Sequence, residues 1–111
     1  MLRRMPSTEP GTLLLSVAPG RLDASRADTL KDAFSAEVTA AARIPERVIL
    51  DLAEVTSVDS AGLGALIGIL KRCRRFGSAL TLRHVPPEVR ALLDLTLVGR
   101  IFEIEDAAVP V

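Results

Sequence analysis

The chain has 111 residues, enough for one domain that buries most of its apolar surface without metals or disulfides. A hydrophobic fraction of 49% with a mean hydropathy of +0.33 excludes a disordered chain, and 25% charged residues supply an ordinary solvated surface. Fourteen basic and fourteen acidic residues cancel, there is no Trp or Tyr, and only Phe34, Phe76 and Phe102 are aromatic, so neither nucleic acid nor an anionic membrane is favoured as a partner.

In chain order, residues 1–11 hold Arg3 and Arg4, then Pro6, Glu9 and Pro10 where a signal peptide needs its apolar stretch. They are expected to form an N-terminal extension without fixed structure, and the chain is expected in the cytoplasm. Residues 12–18 (TLLLSVA) are short, aliphatic and bounded by Gly11 and Pro19-Gly20, the pattern of a strand. Ser25 and Asp28 resemble a capping box, and Ala27, Leu30, Phe34, Val38 and Ala41 recur at helical spacing, predicting a helix that ends before Pro45. Residues 47–52 (RVILDL) form an uninterrupted aliphatic run, predicting a central strand covered on both faces.

Residues 55–59 lead to Ser60, read as an N-cap, and Leu63, Leu66, Ile67 and Leu70 predict one face of the helix that follows. Lys71, Arg72, Arg74 and Arg75 suit its negative end, and Gly77 its stop. The apolar run at 61–70 is about half of a bilayer span and contains three glycines, so it is expected as a core helix. Residues 79–85 predict a strand, and Pro86-Pro87 opens a helix carrying Val89, Leu92, Leu93 and Leu97 that Gly99 closes. Residues 101–104 add a last short strand. Strands alternating with helices imply crossover units and a largely parallel sheet.

Lone Cys73 closes no internal disulfide, and no Cys or His pair exists to hold a structural zinc; the thiol is read as a small core hydrophobe. A serine-hydrolase reading rests on Ser60 in a strand-to-helix turn and on His84 at the end of a later strand. Val58 replaces the first glycine of a G-x-S-x-G elbow and no oxyanion-hole loop is evident, so His84 is read as a strand-end surface residue. Asp51 is read as a solvated loop residue. Gly64 and Gly68, with Ala61 and Ala65, strip one side of the helix of bulk, which serves either a docking partner or packing within the chain.

The informative segment is 48–66, VILDLAEVTSVDSAGLGAL, an aliphatic strand, a short loop and Asp59-Ser60-Ala61-Gly62-Leu63 opening the helix. It resembles the STAS domains (sulphate transporter and anti-sigma factor antagonist), specifically the stand-alone bacterial antagonists. Gly20-Arg21-Leu22-Asp23, Pro87-Glu88-Val89-Arg90 and Ile101-Phe102 extend the resemblance over nearly the whole chain. It implies a single-domain α/β fold over residues 12–106, with a mostly parallel four- to five-stranded sheet covered by helices, and a tail at 107–111. It also implies a regulator without catalysis, cofactor or metal.

In that resemblance Ser60 is phosphorylated by a partner serine kinase that is itself the anti-sigma factor. The unphosphorylated chain binds this partner and releases a sigma factor, and a phosphatase restores it. Asp59 and Asp23 match acidic residues of the same surface, and the expected partner-binding set is Asp23, Asp59, Ser60, Ala61, Gly62, Leu63 and Gly64. A helix N-terminus favours a phosphate by about 0.3–1 kcal/mol, so the switch is expected in partner affinity and not in the fold. The alternative is a STAS accessory subunit of a transporter or signalling scaffold, not necessarily phosphorylated. The family's last helix has little room after Ile104, so a monomer or a weak homodimer is expected.

Overall fold

The computed structural model describes residues 1–96 and 101–105. Its elements are β1 (Leu2–Met5), β2 (Thr12–Val17), β3 (Gly20–Leu22), α1 (Ala24–Ala40), β4 (Arg47–Asp51), β5 (Val55–Val58), α2 (Ser60–Phe76), β6 (Ala79–Arg83), α3 (Pro87–Asp94) and β7 (Glu103–Ile104). A five-stranded sheet has the order β1-β2-β4-β6-β7, parallel except at β1, and β3 and β5 form a separate parallel pair. This is the expected α/β architecture.

The residues explain the layers. Leu13, Leu15 and Val17 alternate inward from β2, Val48 and Leu50 from β4, and Leu80 and Leu82 from β6; they meet Leu30 and Phe34 of α1 and Leu66, Ile69 and Leu70 of α2 in one core. Ile49, between Val48 and Leu50, faces the other side of the sheet, where residues 6–9, Leu14 and Arg83 surround it. The central strand is therefore apolar on both faces, as its sequence predicts, although among the described residues the helices cover only one face. The two long helices pack on each other: Arg72 Nη1 donates to the Lys31 carbonyl at 2.7 Å and to Ser35 Oγ.

Several expectations are corrected. The first residues are not a structureless extension: Leu2–Met5 pair antiparallel with β2, and Arg4 donates to Glu37 of α1 through Nε at 3.2 Å and to the Glu37 carbonyl at 3.1 Å. Beyond the Pro19-Gly20 boundary, Gly20–Leu22 form a short strand that the sequence pattern does not predict, held by its pairing with β5. Ser25 does not cap α1; Asp23 does, and Ser25 lies inside the first turn. The strand expected at 79–85 ends at Arg83, and the expected helix positions Leu97 and Gly99, like the tail at 107–111, lie outside the described residues.

Cys73 is 1% exposed in the core, and burial pushes its thiol up to about 11. The folded chain is therefore expected to resist aromatic disulfide reagents at neutral pH and to be labelled only as fast as it unfolds. Complete labelling within the mixing time, with the fold intact by circular dichroism, would contradict this burial.

A double cap at the start of two helices

The parallel ladder of β3 and β5 pairs Leu22 with Val58, so the next residue of each strand, Asp23 and Asp59, emerges at the same edge. Each is the N-cap of the helix that follows. Asp23 Oδ1 accepts from the Ser25 N–H at 3.1 Å and the Ser25 hydroxyl at 2.6 Å; Asp59 Oδ1 accepts from the Gly62 N–H at 2.9 Å. The Ser25 hydroxyl is the main influence holding the Asp23 carboxyl below its ordinary value; burial opposes it, and the Ser25 N–H and the positive charges of Arg21 and Arg26 add to the lowering. The two aspartates share a cleft of about 310 Å³ with Arg21, Ser57 and Val58.

Ser60, expected as the cap, is instead the first residue of α2. Because Asp59 supplies the capping oxygen, the exposed Ser60 hydroxyl carries no structural task among the described hydrogen bonds. The N–H groups of Ser60 and Ala61 belong to the first turn, where a helix offers no internal acceptor, while Gly62 N–H is satisfied by Asp59. The site is thus an exposed hydroxyl, two first-turn backbone donors with no partner among the described residues, and two nearby carboxylates.

The remaining expected residues divide. Ala61 and Leu63 are half-buried, Leu63 packing against the core, and Gly64 is exposed. Gly62, expected in the docking surface, is buried: a Cβ there would lie 2.0 Å from the Leu22 carbonyl oxygen. That same carbonyl accepts the Asp59 N–H at 3.2 Å. Gly62 therefore lets the start of α2 press against the end of β3, which brings Asp59 and Ser60 beside Asp23.

The glycine strip resolves likewise into two uses. Gly68 faces the Lys31 stem of α1, whose Cδ would be 3.1 Å from an added Cβ, and Ala65 is buried, so both serve packing within the chain. Gly64 has nothing within 4 Å of an added Cβ. Gly64→Ala is accordingly expected to raise stability by about 0.5–1 kcal/mol, because only helix propensity changes. A loss of stability in denaturant titration would show that Gly64 has a packing role after all.

His84 sits at a positive φ of 53° beyond β6 and pairs through Nδ1 with Asp51 Oδ2 at 2.9 Å. Asp51, expected as a solvated loop residue, also accepts the Ala53 N–H at 2.9 Å through Oδ1 and closes the turn after β4. Among the described residues no hydrogen bond joins His84 to Ser60. The features that sequence reasoning missed are the paired ends of β3 and β5, the assignment of both caps to aspartate, and Arg21 in the shared cleft. The two matching Leu/Val-Asp strand ends before helices were the available signal.

The fold and site define a small α/β domain that displays a hydroxyl at a helix start beside acidic caps. The STAS domain model matches residues 5–108, and the chain belongs to the STAS domain family. It is 32% identical over 89 residues to the anti-sigma-B factor antagonist of Listeria monocytogenes, covering 78% of this chain and 74% of that protein. Two solved structures share the fold. One is a sulfate transporter family protein from Wolinella succinogenes, with TM-score 0.70 and 20% identity, covering 89% of this chain and 80% of that one. The other is the Bacillus cell fate determinant SpoIIAA in its phosphorylated form, with TM-score 0.64 and 14% identity, covering 95% of this chain and 91% of that one. Among the described residues no helix is long and apolar enough to cross a membrane.

Proposed function

We propose that this chain is an anti-sigma factor antagonist in the cytoplasm, a binding regulator whose switch is phosphorylation of Ser60. Unphosphorylated, it binds an anti-sigma factor that is also a serine kinase and frees the sigma factor. The kinase then transfers the γ-phosphoryl group of ATP to Ser60 Oγ, releasing ADP and the hydroxyl proton. Affinity falls, and a phosphatase resets the chain by hydrolysing the phosphate. The observation that carries this reading is the exposed Ser60 hydroxyl at the first position of α2, released from capping by Asp59. The docking surface comprises Asp23, Asp59, Ser60, Ala61, Leu63 and Gly64, with Gly62 acting beneath it.

The test is a pull-down with wild type, Ser60→Ala and Ser60→Asp as baits, followed by mass spectrometry. An ATP-binding anti-sigma kinase retained by wild type and Ser60→Ala but lost by Ser60→Asp, with phosphate mapped to Ser60, is the expected result. A second reading draws on the fold shared with a sulfate transporter family protein: a STAS subunit of a transporter or scaffold. Capture of a transporter component, with no Ser60 phosphopeptide after incubation in cell extract with ATP, would favour it. Esterase activity abolished by both Ser60→Ala and His84→Ala would overturn a non-catalytic role.

A further inference from the structure

Of the charged side chains around the start of α2, Arg21 is the one to which the antagonist reading gives no task. It is exposed in the short strand β3 and stands in register with Ser57 of β5, three positions before Ser60. Arg21 and Ser57 both line the cleft of about 310 Å³ that Asp23, Val58 and Asp59 complete. The two carboxylates there are engaged as caps, Asp23 by Ser25 and Asp59 by the Gly62 N–H. Arg26, the neighbouring cation, is tied down by the carbonyls of Arg21 at 2.7 Å, Ala18 at 3.0 Å and Pro19 at 3.1 Å. Among the described residues no ion pair or hydrogen bond holds the Arg21 guanidinium.

Resting on the reading of Ser60 as the phosphorylated residue, we infer that Arg21 is the counter-charge that holds a phosphate on Ser60 against the cleft. A guanidinium presents a planar fork of donors that matches phosphate oxygens, and the first-turn N–H groups of Ser60 and Ala61 add two more donors at the same helix start. The phosphorylated chain then carries its own clamp, which favours the dianion and shields the phosphate from hydrolysis. The charged groups of the cleft are Arg21 on β3, Asp23 at the cap of α1 and Asp59 at the cap of α2, with Arg26 acting on Asp23 from within α1; β5 contributes the uncharged Ser57 and Val58.

The experiment installs phosphoserine at position 60 by nonsense suppression in the full chain and follows its second ionisation by phosphorus NMR. No kinase is involved, so a kinase that fails to label Ser60 counts against the antagonist reading and leaves this measurement standing. The second ionisation of a free phosphoserine lies near 6, and Arg21 should lower it. In Arg21→Ala it should rise by about half a unit, roughly threefold in proton affinity, and further in Arg21→Glu, with Arg21→Lys recovering most of the wild-type value. Because Arg21 is exposed, all three should keep the wild-type amide spectrum away from the cleft. Superimposable titrations of wild type, Arg21→Ala and Arg21→Glu would overturn the assignment.

Discussion

Gly62→Ala should destabilise the domain by about 3 kcal/mol, and it should displace the start of α2 from β3. The added Cβ would meet a backbone carbonyl, that of Leu22, at 2.0 Å, and no rotamer change relieves a contact between a backbone oxygen and a Cβ. Relief requires moving the helix, which lengthens the 3.2 Å bond from Asp59 N–H to the same Leu22 oxygen and the 2.9 Å cap from Asp59 to Gly62. The substitution therefore strains packing, a sheet-to-helix bond and a cap together. Urea titration gives the stability loss, and amide shifts at Asp23 and Ser60 report the displacement. A loss under about 1 kcal/mol would mean that the close approach is not required. Gly64→Ala, two positions on, is expected to act in the opposite direction.

A phosphate on Ser60, or Ser60→Asp to a lesser extent, should weaken binding of the anti-sigma factor by about a hundredfold while leaving the fold intact. Phosphorylation adds about −1.5 to −2 charge next to the carboxylates of Asp59 and Asp23. Burying that charge in an interface, or setting it against an acidic patch, at a cost of about 3 kcal/mol accounts for the hundredfold loss. Within the chain the same charge meets helix N–H groups and a favourable helix dipole, worth about 0.3–1 kcal/mol, so stability should not fall. The cap assignment sharpens the comparison. Ser60→Ala should change stability by less than about 0.5 kcal/mol, whereas Asp59→Ala should cost about 1 kcal/mol, because only the aspartate bonds the Gly62 N–H.

What the sequence reveals and what it hides follow from the range of the interactions. Strands β2, β4 and β6 and the body of α2 are legible because aliphatic runs and helical spacing are local signals. The two caps are not. Ser25 and Asp23, like Ser60 and Asp59, are equally good capping residues, and the choice between them depends on where β3 and β5 end, which only their mutual pairing decides. Strand β1 is hidden for a similar reason: Leu2-Arg3-Arg4-Met5 is a mixed segment held by β2 on one side and by Arg4 on Glu37. Composition treats Gly62, Gly64 and Gly68 alike, yet one meets a backbone, one meets the Lys31 stem and one faces open space.

The helix start at residues 59–63 is nonetheless legible, because DSAGL after an aliphatic strand is a local pattern. Asp59 caps, Gly62 permits the close approach, and Ser60 is left exposed.

The measurement that tests this account most directly is a calorimetric titration of the anti-sigma kinase with the chain in two forms, Ser60 free and Ser60 phosphorylated, alongside thermal unfolding of each form alone. The phosphorylated form should bind about a hundredfold more weakly, with Tm at or slightly above that of the unphosphorylated chain. Equal affinities, or a phosphorylated form that binds weakly because it has lost its fold, would contradict it.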